Sequence, residues 1–147
     1  MSIIIRKLKE EDLSNGFFET LSNLADIGKI KEEIDLAKEI FNKINKEENY
    51  RIIIAEEKDT HQVVGTATLL IEQKFIHNGG KAGHIEDVAT RSGYEGKGIG
   101  RKIIKELIKI AKESGCYKVI LDCDEKVAGF YEKMGFKKHQ LMMRINT

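Results

Sequence analysis

The chain has no proline, no low-complexity tract and no internal repeat, so nothing in its composition marks a linker. With 147 residues it has the size of one domain built on one core, and a single domain over 1–147 is expected. An excess of charge of one sign is also lacking. Lys and Arg number 25 against 24 Asp and Glu, a formal net charge of +1, which excludes the global basic field behind non-specific nucleic-acid binding. Apolar runs are a few residues long, far short of a membrane span, and Met1-Ser2-Ile3-Ile4-Ile5-Arg6 lacks a signal-peptide layout. A soluble, cytoplasmic chain is expected, with small molecules rather than nucleic acid or membrane as partners. Cysteine is scarce. Cys116 and Cys123 sit at neither metal nor redox spacing, so reduced thiols and no bound metal are expected.

What is present is periodicity. Ile3-Ile4-Ile5 with Lys7-Leu8 suggests a first strand, and a helix is expected to open at Asp12 and run through Phe17, Phe18, Leu21 and Leu24. A second helix carries Ile34, Ala37, Ile40, Phe41 and Ile44 on one face. Tyr50–Ala55 and Gln62–Gln73, rich in β-branched residues, flank Lys58-Asp59-Thr60 as a hairpin, and His84–Thr90 can pair with them. The pattern then changes to strand, helix, strand. Ile99, Ile103, Ile104, Leu107, Ile108 and Ala111 recur at helical spacing until Gly115 stops the helix. Tyr117–Asp122 is the next strand, parallel to His84–Thr90 through a right-handed crossover. A short helix from about Glu125 to Met134, closed by Gly135, leads to an expected last strand, Phe136–Ile145. The class is α/β with a mixed sheet.

Between the strand His84–Thr90 and the long helix lies Gly93-Tyr94-Glu95-Gly96-Lys97-Gly98-Ile99-Gly100-Arg101. Glycines let backbone N–H groups approach a ligand, and the following helix adds unpaired amides and a positive dipole end, which together suit a pyrophosphate. A Walker A loop needs Lys and then Ser or Thr after its last glycine, but Ile99 follows Gly98. A dinucleotide fingerprint needs a third glycine at position 103, where Ile103 stands. The surviving pattern is Gln/Arg-x-x-Gly-x-Gly/Ala, followed at the expected separation by Phe130-Tyr131-Glu132-Lys133-Met134-Gly135-Phe136.

With these two linked motifs the chain resembles the GCN5-related N-acetyltransferases (GNAT), whose loop binds the pyrophosphate of acetyl-CoA. The resemblance implies the GNAT fold, a mixed central β-sheet with a bulged, splayed strand pair and flanking helices. It implies a CoA site made from Val88, Ala89, Thr90, Gly96, Lys97, Gly98, Ile99, Gly100, Arg101, Tyr131, Glu132 and Lys133. Position 95 departs from the family preference for Gln or Arg, and weakened rather than abolished binding is expected, with Lys97 and Arg101 compensating. Gly83-His84-Ile85-Glu86-Asp87-Val88, Cys116–Cys123, Thr66-Ala67-Thr68, Glu72–His77 and Gly16–Leu21 are similar to the branch of the family that acetylates glucosamine 6-phosphate. That likeness implies a homodimer with its active site near the interface.

Amide formation from a thioester requires an unprotonated amine, a polarised carbonyl and a stabilised thiolate. The Tyr131 phenol suits the thiolate, with burial as an ordinary core aromatic as the alternative. Glu86 and Asp122 are the expected catalytic carboxylates, lying near the carboxyl ends of adjacent strands. Strict alternation points Glu86 and Asp87 to opposite faces, so both serve one site only if a bulge interrupts the strand or one acts through its backbone; the family resemblance implies a bulge there. The plainer readings are a solvated Glu86-Asp87 pair and Asp122 as a helix N-cap. Resemblance places the sugar phosphate against Thr20, Lys74, Phe75, Ile76, His77, Glu86, Asp87, Val88, Tyr117 and Lys118, some through backbone atoms; Lys74 and Lys118 could equally be solvated edge lysines. The family's partner-subunit arginine falls at Asn146 here, and Arg144 shares its expected strand face. Val127 stands where relatives can carry Asn. Acetylation of another amine, such as a peptide N-terminus or a polyamine, and a CoA-binding module without chemistry remain open.

Overall fold

The structure, a computed structural model, describes all 147 residues. A five-stranded sheet runs in the order β1 (Ile3–Lys7), β2 (Tyr50–Glu57), β3 (Gln62–Gln73), β4 (Lys81–Thr90), β5 (Cys116–Ile120). The first four strands are antiparallel and β5 is parallel to β4, so the sheet is mixed. Chain-neighbouring strands are also sheet neighbours: β2–β3 and β3–β4 have short connections, whereas β1–β2 and β4–β5 are joined through helices.

Each face of the sheet carries helices, because β2 and β3 alternate apolar residues toward both sides. Helix α4 (Ile99–Glu113) buries Ile99, Ile103, Ile104, Leu107 and Ala111 against Ile53, Ala55, Ala67, Leu69 and Ile85. A fully buried aliphatic side chain such as Leu107 stabilises by about 2 kcal/mol. The helix settles closely over Gly65, where a Cβ would lie 2.6 Å from Ile99 Cγ2 and 2.8 Å from Ile103 Cδ1. That approach fixes the start of α4, and with it the glycine-rich loop. On the other face α1 (Phe17–Ser22) and α2 (Ile34–Asn45) cover Ile54 and Val63 with Phe17, Phe18, Leu13 and Ala37. No helix is long and apolar enough to cross a membrane.

Four boundaries differ from the sequence reading. Asp12 does not open a helix: Glu10–Ser14 is a 3-10 turn, α1 begins at Phe17, and Leu24 lies beyond its end. Asp12 is instead buried and paired with Arg6, whose Nη1 and Nη2 reach its two oxygens at 2.8 and 2.7 Å. Strand β5 stops at Ile120, before Asp122. The short helix is two pieces, a 3-10 turn at Glu125–Val127 and α5 (Ala128–Glu132). The expected strand Phe136–Ile145 does not form. Residues 137–147 have no regular structure, and Leu141, Met143 and Ile145 are 88, 87 and 86% exposed. A strand requires a partner backbone, and this segment pairs with none.

Candidate active site

The site grows from an irregularity in β4. Pairing with β3 runs Thr66↔Ala89 and then Thr68↔Glu86, so two residues of β4, Asp87 and Val88, oppose Ala67 alone. Asp87 accordingly takes φ 51. This is the bulge that the resemblance implied, and past it the ladder's facing is reset. On its other side β4 pairs with β5 only from Lys81 to His84, against Cys116 to Ile120. From Ile85 onward β4 has lost that neighbour, and the two strands part just where Glu86, Asp87 and Val88 begin.

The acidic side chains gather in this gap. Burial raises the pKa of Glu86 above the ordinary carboxylate value, reinforced by Asp122 and Asp87 and opposed by His84. Asp122, exposed just past β5, therefore shares a field with Glu86 although it lies outside the strand. It is not a helix N-cap, since Asp124 holds that position before the 3-10 turn. Tyr131 on α5 is 9% exposed, and its phenol pKa is raised by burial and then by Cys123 and Asp122. Phe130 and Phe136 meet its ring edge-on at centroid distances of 4.9 and 5.9 Å. Glu132 and Lys133, at the end of α5, are exposed.

The glycine-rich loop leaves the far end of β4. Gly93, Gly96 and Gly98 have φ of 89, 73 and 78°, and nothing lies within 4 Å of where their Cβ atoms would be. Positive φ suits glycine alone, and the open space above the backbone is the shape an incoming diphosphate requires. The first turn of α4 adds free amides, because its first internal bond runs from Lys102 N to Gly98 O. Lys97 and Arg101 are exposed beside it, while the Ile99 side chain is buried and only its backbone can serve a ligand. Phe130 brings α5 to this end of α4, its Cζ 3.4 Å from the Gly100 Cβ position. These residues fit the pyrophosphate of acetyl-CoA. Val88 is half-buried, Ala89 buried, and the Thr90 carbonyl accepts a bond from Asn23 Nδ2 at 2.7 Å.

The residues expected to meet the sugar phosphate divide. His77 stacks on Tyr117 with centroids 4.0 Å apart, and Lys118 Nζ lies 5.6 Å from the Tyr117 centroid, so the two distant segments do meet. Phe75 is 101% and Ile76 60% exposed on the turn α3 (Ile76–Gly79). Three of the expected residues have partners within the chain. Thr20 is fully buried, and its hydroxyl faces the Gly16 and Val63 carbonyls at 2.8 and 2.9 Å, leaving nothing to offer a ligand. The Lys74 ammonium is paired with Glu72 at 3.1 Å. Arg144 lies on no strand; its Nε donates to Asn146 Oδ1 at 2.7 Å within the exposed tail.

Three contributors were missed. His84 Nε2 lies 2.8 Å from Glu72 Oε1, holding the side chain two places before Glu86. Tyr50 has a phenol pKa raised by burial and by Asp87 and Glu86, which places it at the same gap. Asn23 reaches the loop. The i, i+2 spacing of His84 and Glu86 was readable in the sequence; the other two contacts are made between distant elements and had no local signal.

The description Acetyltransferase (GNAT) family matches residues 15–136. Glucosamine 6-phosphate N-acetyltransferase 1 of Dictyostelium discoideum is 38% identical over 144 residues, covering 97% of this chain and 90% of that protein. The Candida albicans glucosamine 6-phosphate N-acetyltransferase is 40% identical over 132 residues, 90% of this chain and 87% of that one. The crystal structure of glucosamine-6-phosphate N-acetyltransferase from Arabidopsis thaliana superposes with a TM-score of 0.93 at 38% identity, covering 99% of each chain. With the bulged β4, the parted strands and the glycine cradle in place, this chain belongs to the GNAT family of acetyltransferases.

Proposed function

We propose that the chain transfers the acetyl group of acetyl-CoA to the amine of D-glucosamine 6-phosphate, giving N-acetyl-D-glucosamine 6-phosphate and CoA. The reaction is direct attack in a ternary complex, on the route to UDP-N-acetylglucosamine. The observation that carries this reading is the bulge at Asp87-Val88 where β5 parts from β4; Asp122 and Asp87 acting on the Glu86 pKa, and Asp122 on that of Tyr131, support it. Near-full-length similarity to enzymes named for this sugar phosphate supports the substrate.

Acetyl-CoA supplies an activated acyl group; the chain supplies position and charge. The amide N–H groups of the loop and of the first turn of α4 hold the pyrophosphate, with Lys97 and Arg101 adding charge. The Val88 N–H, turned by the bulge, polarises the thioester carbonyl. Glu86 and Asp122 bind the incoming ammonium, and Glu86, whose proton affinity is raised, takes its proton. The neutral amine forms the new C–N bond as the C–S bond breaks; Tyr131 gives the departing sulfur a proton and regains one from the new amide nitrogen by way of water, and Glu86 returns its proton to solvent. His77, Tyr117 and Lys118 line the sugar-phosphate end.

The working form is a homodimer with its active site near the interface. Its support is the unpaired β5 edge together with the apolar tail Leu141, Met142, Met143 and Ile145, all exposed as a strand seeking a partner would be. Two free thiols, Cys116 and Cys123, suit the reducing cytoplasm. Thiol release is to be measured with acetyl-CoA against glucosamine 6-phosphate, a polyamine and a peptide, for the wild type, Asp122→Ala and Tyr131→Phe. Turnover of the sugar phosphate, lowered in both variants, is expected; turnover of another amine alone would refute the substrate. Sedimentation of a chain lacking residues 137–147 tests the dimer, and a monomer is the expected result.

A further inference from the structure

Glu95 occupies the one irregular position of the glycine-rich loop, and its carboxylate is fully engaged. Oε2 accepts the Gly93 N–H at 2.7 Å, and Oε1 accepts Asn23 Nδ2 at 3.0 Å. The same Asn23 amide nitrogen donates to the Thr90 carbonyl at 2.7 Å. Asn23 is the residue that ends α1, Thr90 ends β4, and Gly93 and Glu95 begin the loop. One side-chain pair therefore ties three separate segments together at the mouth of the cradle.

The loop needs such a tie. Glycine loses more conformational freedom on ordering than any other residue, and Gly93, Gly96 and Gly98 all hold left-handed conformations. A loop that must be ordered by its ligand gives up affinity, whereas one ordered beforehand does not. The pair also sorts the amides. Gly93 N–H is consumed by Glu95, leaving those from Gly96 onward for a diphosphate. The negative charge of Glu95, which would repel that diphosphate, is directed onto two N–H donors and lies in water, where salt screens it.

We infer that Asn23 and Glu95 form a brace that pre-organises the pyrophosphate loop, so that both are positioning residues for the CoA moiety and Glu95 assists binding where its charge alone would hinder it. This rests on the reading of the loop as a CoA site. It reverses the expectation from sequence, in which Glu95 weakens binding.

The test is calorimetric titration of CoA into wild type, Asn23→Ala, Glu95→Ala and the double variant, with thermal midpoints to verify folding. Each single variant is expected to raise Kd about three- to tenfold, and the double variant no further, because the two side chains act as one unit. Steady-state assays should show a raised KM for acetyl-CoA at nearly constant kcat, and an unchanged KM for S-acetyl-pantetheine, which lacks the pyrophosphate. Tighter or equal CoA binding by Glu95→Ala, additive losses in the double variant, or an equal KM rise for S-acetyl-pantetheine would each overturn the brace. Failure of the wild type itself to bind CoA would overturn the loop reading, and the brace with it.

Discussion

The imidazole of His77 lies on the phenol ring of Tyr117, centroids 4.0 Å apart and planes 23° from parallel. This contact joins the turn after β3 to the start of β5. His77 and Asn78 hold φ of 52 and 57°, a left-handed conformation costing roughly 1–2 kcal/mol per non-glycine residue, so packing must hold the turn in place. Tyr117 itself is the extra residue of a second register shift, between Lys81↔Cys116 and Ala82↔Lys118.

Replacing Tyr117 by Leu removes that stack. KM for the sugar phosphate should rise about three- to tenfold, as expected for an aromatic contact of this kind, with KM for acetyl-CoA unchanged. Steady-state kinetics with each substrate varied in turn checks this. A rise confined to acetyl-CoA would place the sugar phosphate elsewhere.

Glu86→Gln should lower kcat by about 10²–10⁴-fold, the usual worth of a positioned general base. Glu86 ionises above the ordinary carboxylate range because it is desolvated and faces Asp122 and Asp87. The acid limb of the wild-type pH–rate profile should therefore bend above that range, as Glu86 takes up a proton and ceases to act. Stability runs the other way. A raised folded-state pKa contributes stability below the unfolded carboxylate pKa and loses it as pH rises through the folded value. At neutral pH the ionised carboxylate is a liability, so Glu86→Gln should melt no lower than the wild type; a clearly lower midpoint counts against the account.

Tyr131→Phe keeps the ring contacts with Phe130 and Phe136 and removes only the hydroxyl. Burial, then Cys123 and Asp122, hold the phenol protonated well past neutrality, as a proton donor requires. A fall in kcat of about 10- to 100-fold is expected, with CoA affinity preserved. Comparing kcat with a direct CoA titration separates the two, and equal kcat in both proteins removes Tyr131 from the chemistry.

Arg6 makes hydrogen bonds from Nη1 and Nη2 to Asp12 and from Nε to Glu56, the last at 2.7 Å. Arg6→Ala leaves Asp12, whose side chain is 2% exposed, without its cation and with only the Lys9 N–H at 2.7 Å, and should destabilise by about 3 kcal/mol in urea unfolding. The bond to His61, followed by the bond to Arg6, depresses the Glu56 pKa. Its contribution to stability is present above the ordinary carboxylate pKa and lost as pH falls through the folded value. Arg6→Ala should therefore also reduce the steepness of acid unfolding.

The strands and the long helix were legible because their periodicity is local and unbroken: Ile99 to Ala111 repeats at helical spacing, and β2 and β3 flank an obvious turn. The bulge was legible as one of two ways for Glu86 and Asp87 to serve one site, and the family resemblance favoured it. Asp12 misled because an acidic residue before an apolar run resembles a cap, while its partner Arg6 belongs to β1. The pairing of Lys74 with Glu72 is an i, i+2 contact open to local reading, whereas the burial of Thr20 is set by where α1 crosses β3. The tail carries Leu141, Met143 and Ile145 at alternate positions as a strand does, but that spacing says nothing of where a partner backbone will come from.

The extra residue in β4 has a consequence for how the enzyme can change. Deleting Asp87 would let Thr66, Ala67 and Thr68 pair with β4 without interruption and would discard the left-handed residue at that point. The shortened strand should make a more regular sheet and a protein that folds at least as well, yet one without the bulge on which the proposed polarisation of the acyl group depends. Activity and folding therefore pull in opposite directions at this residue, and a deletion library scored separately for yield and for turnover should split most sharply here.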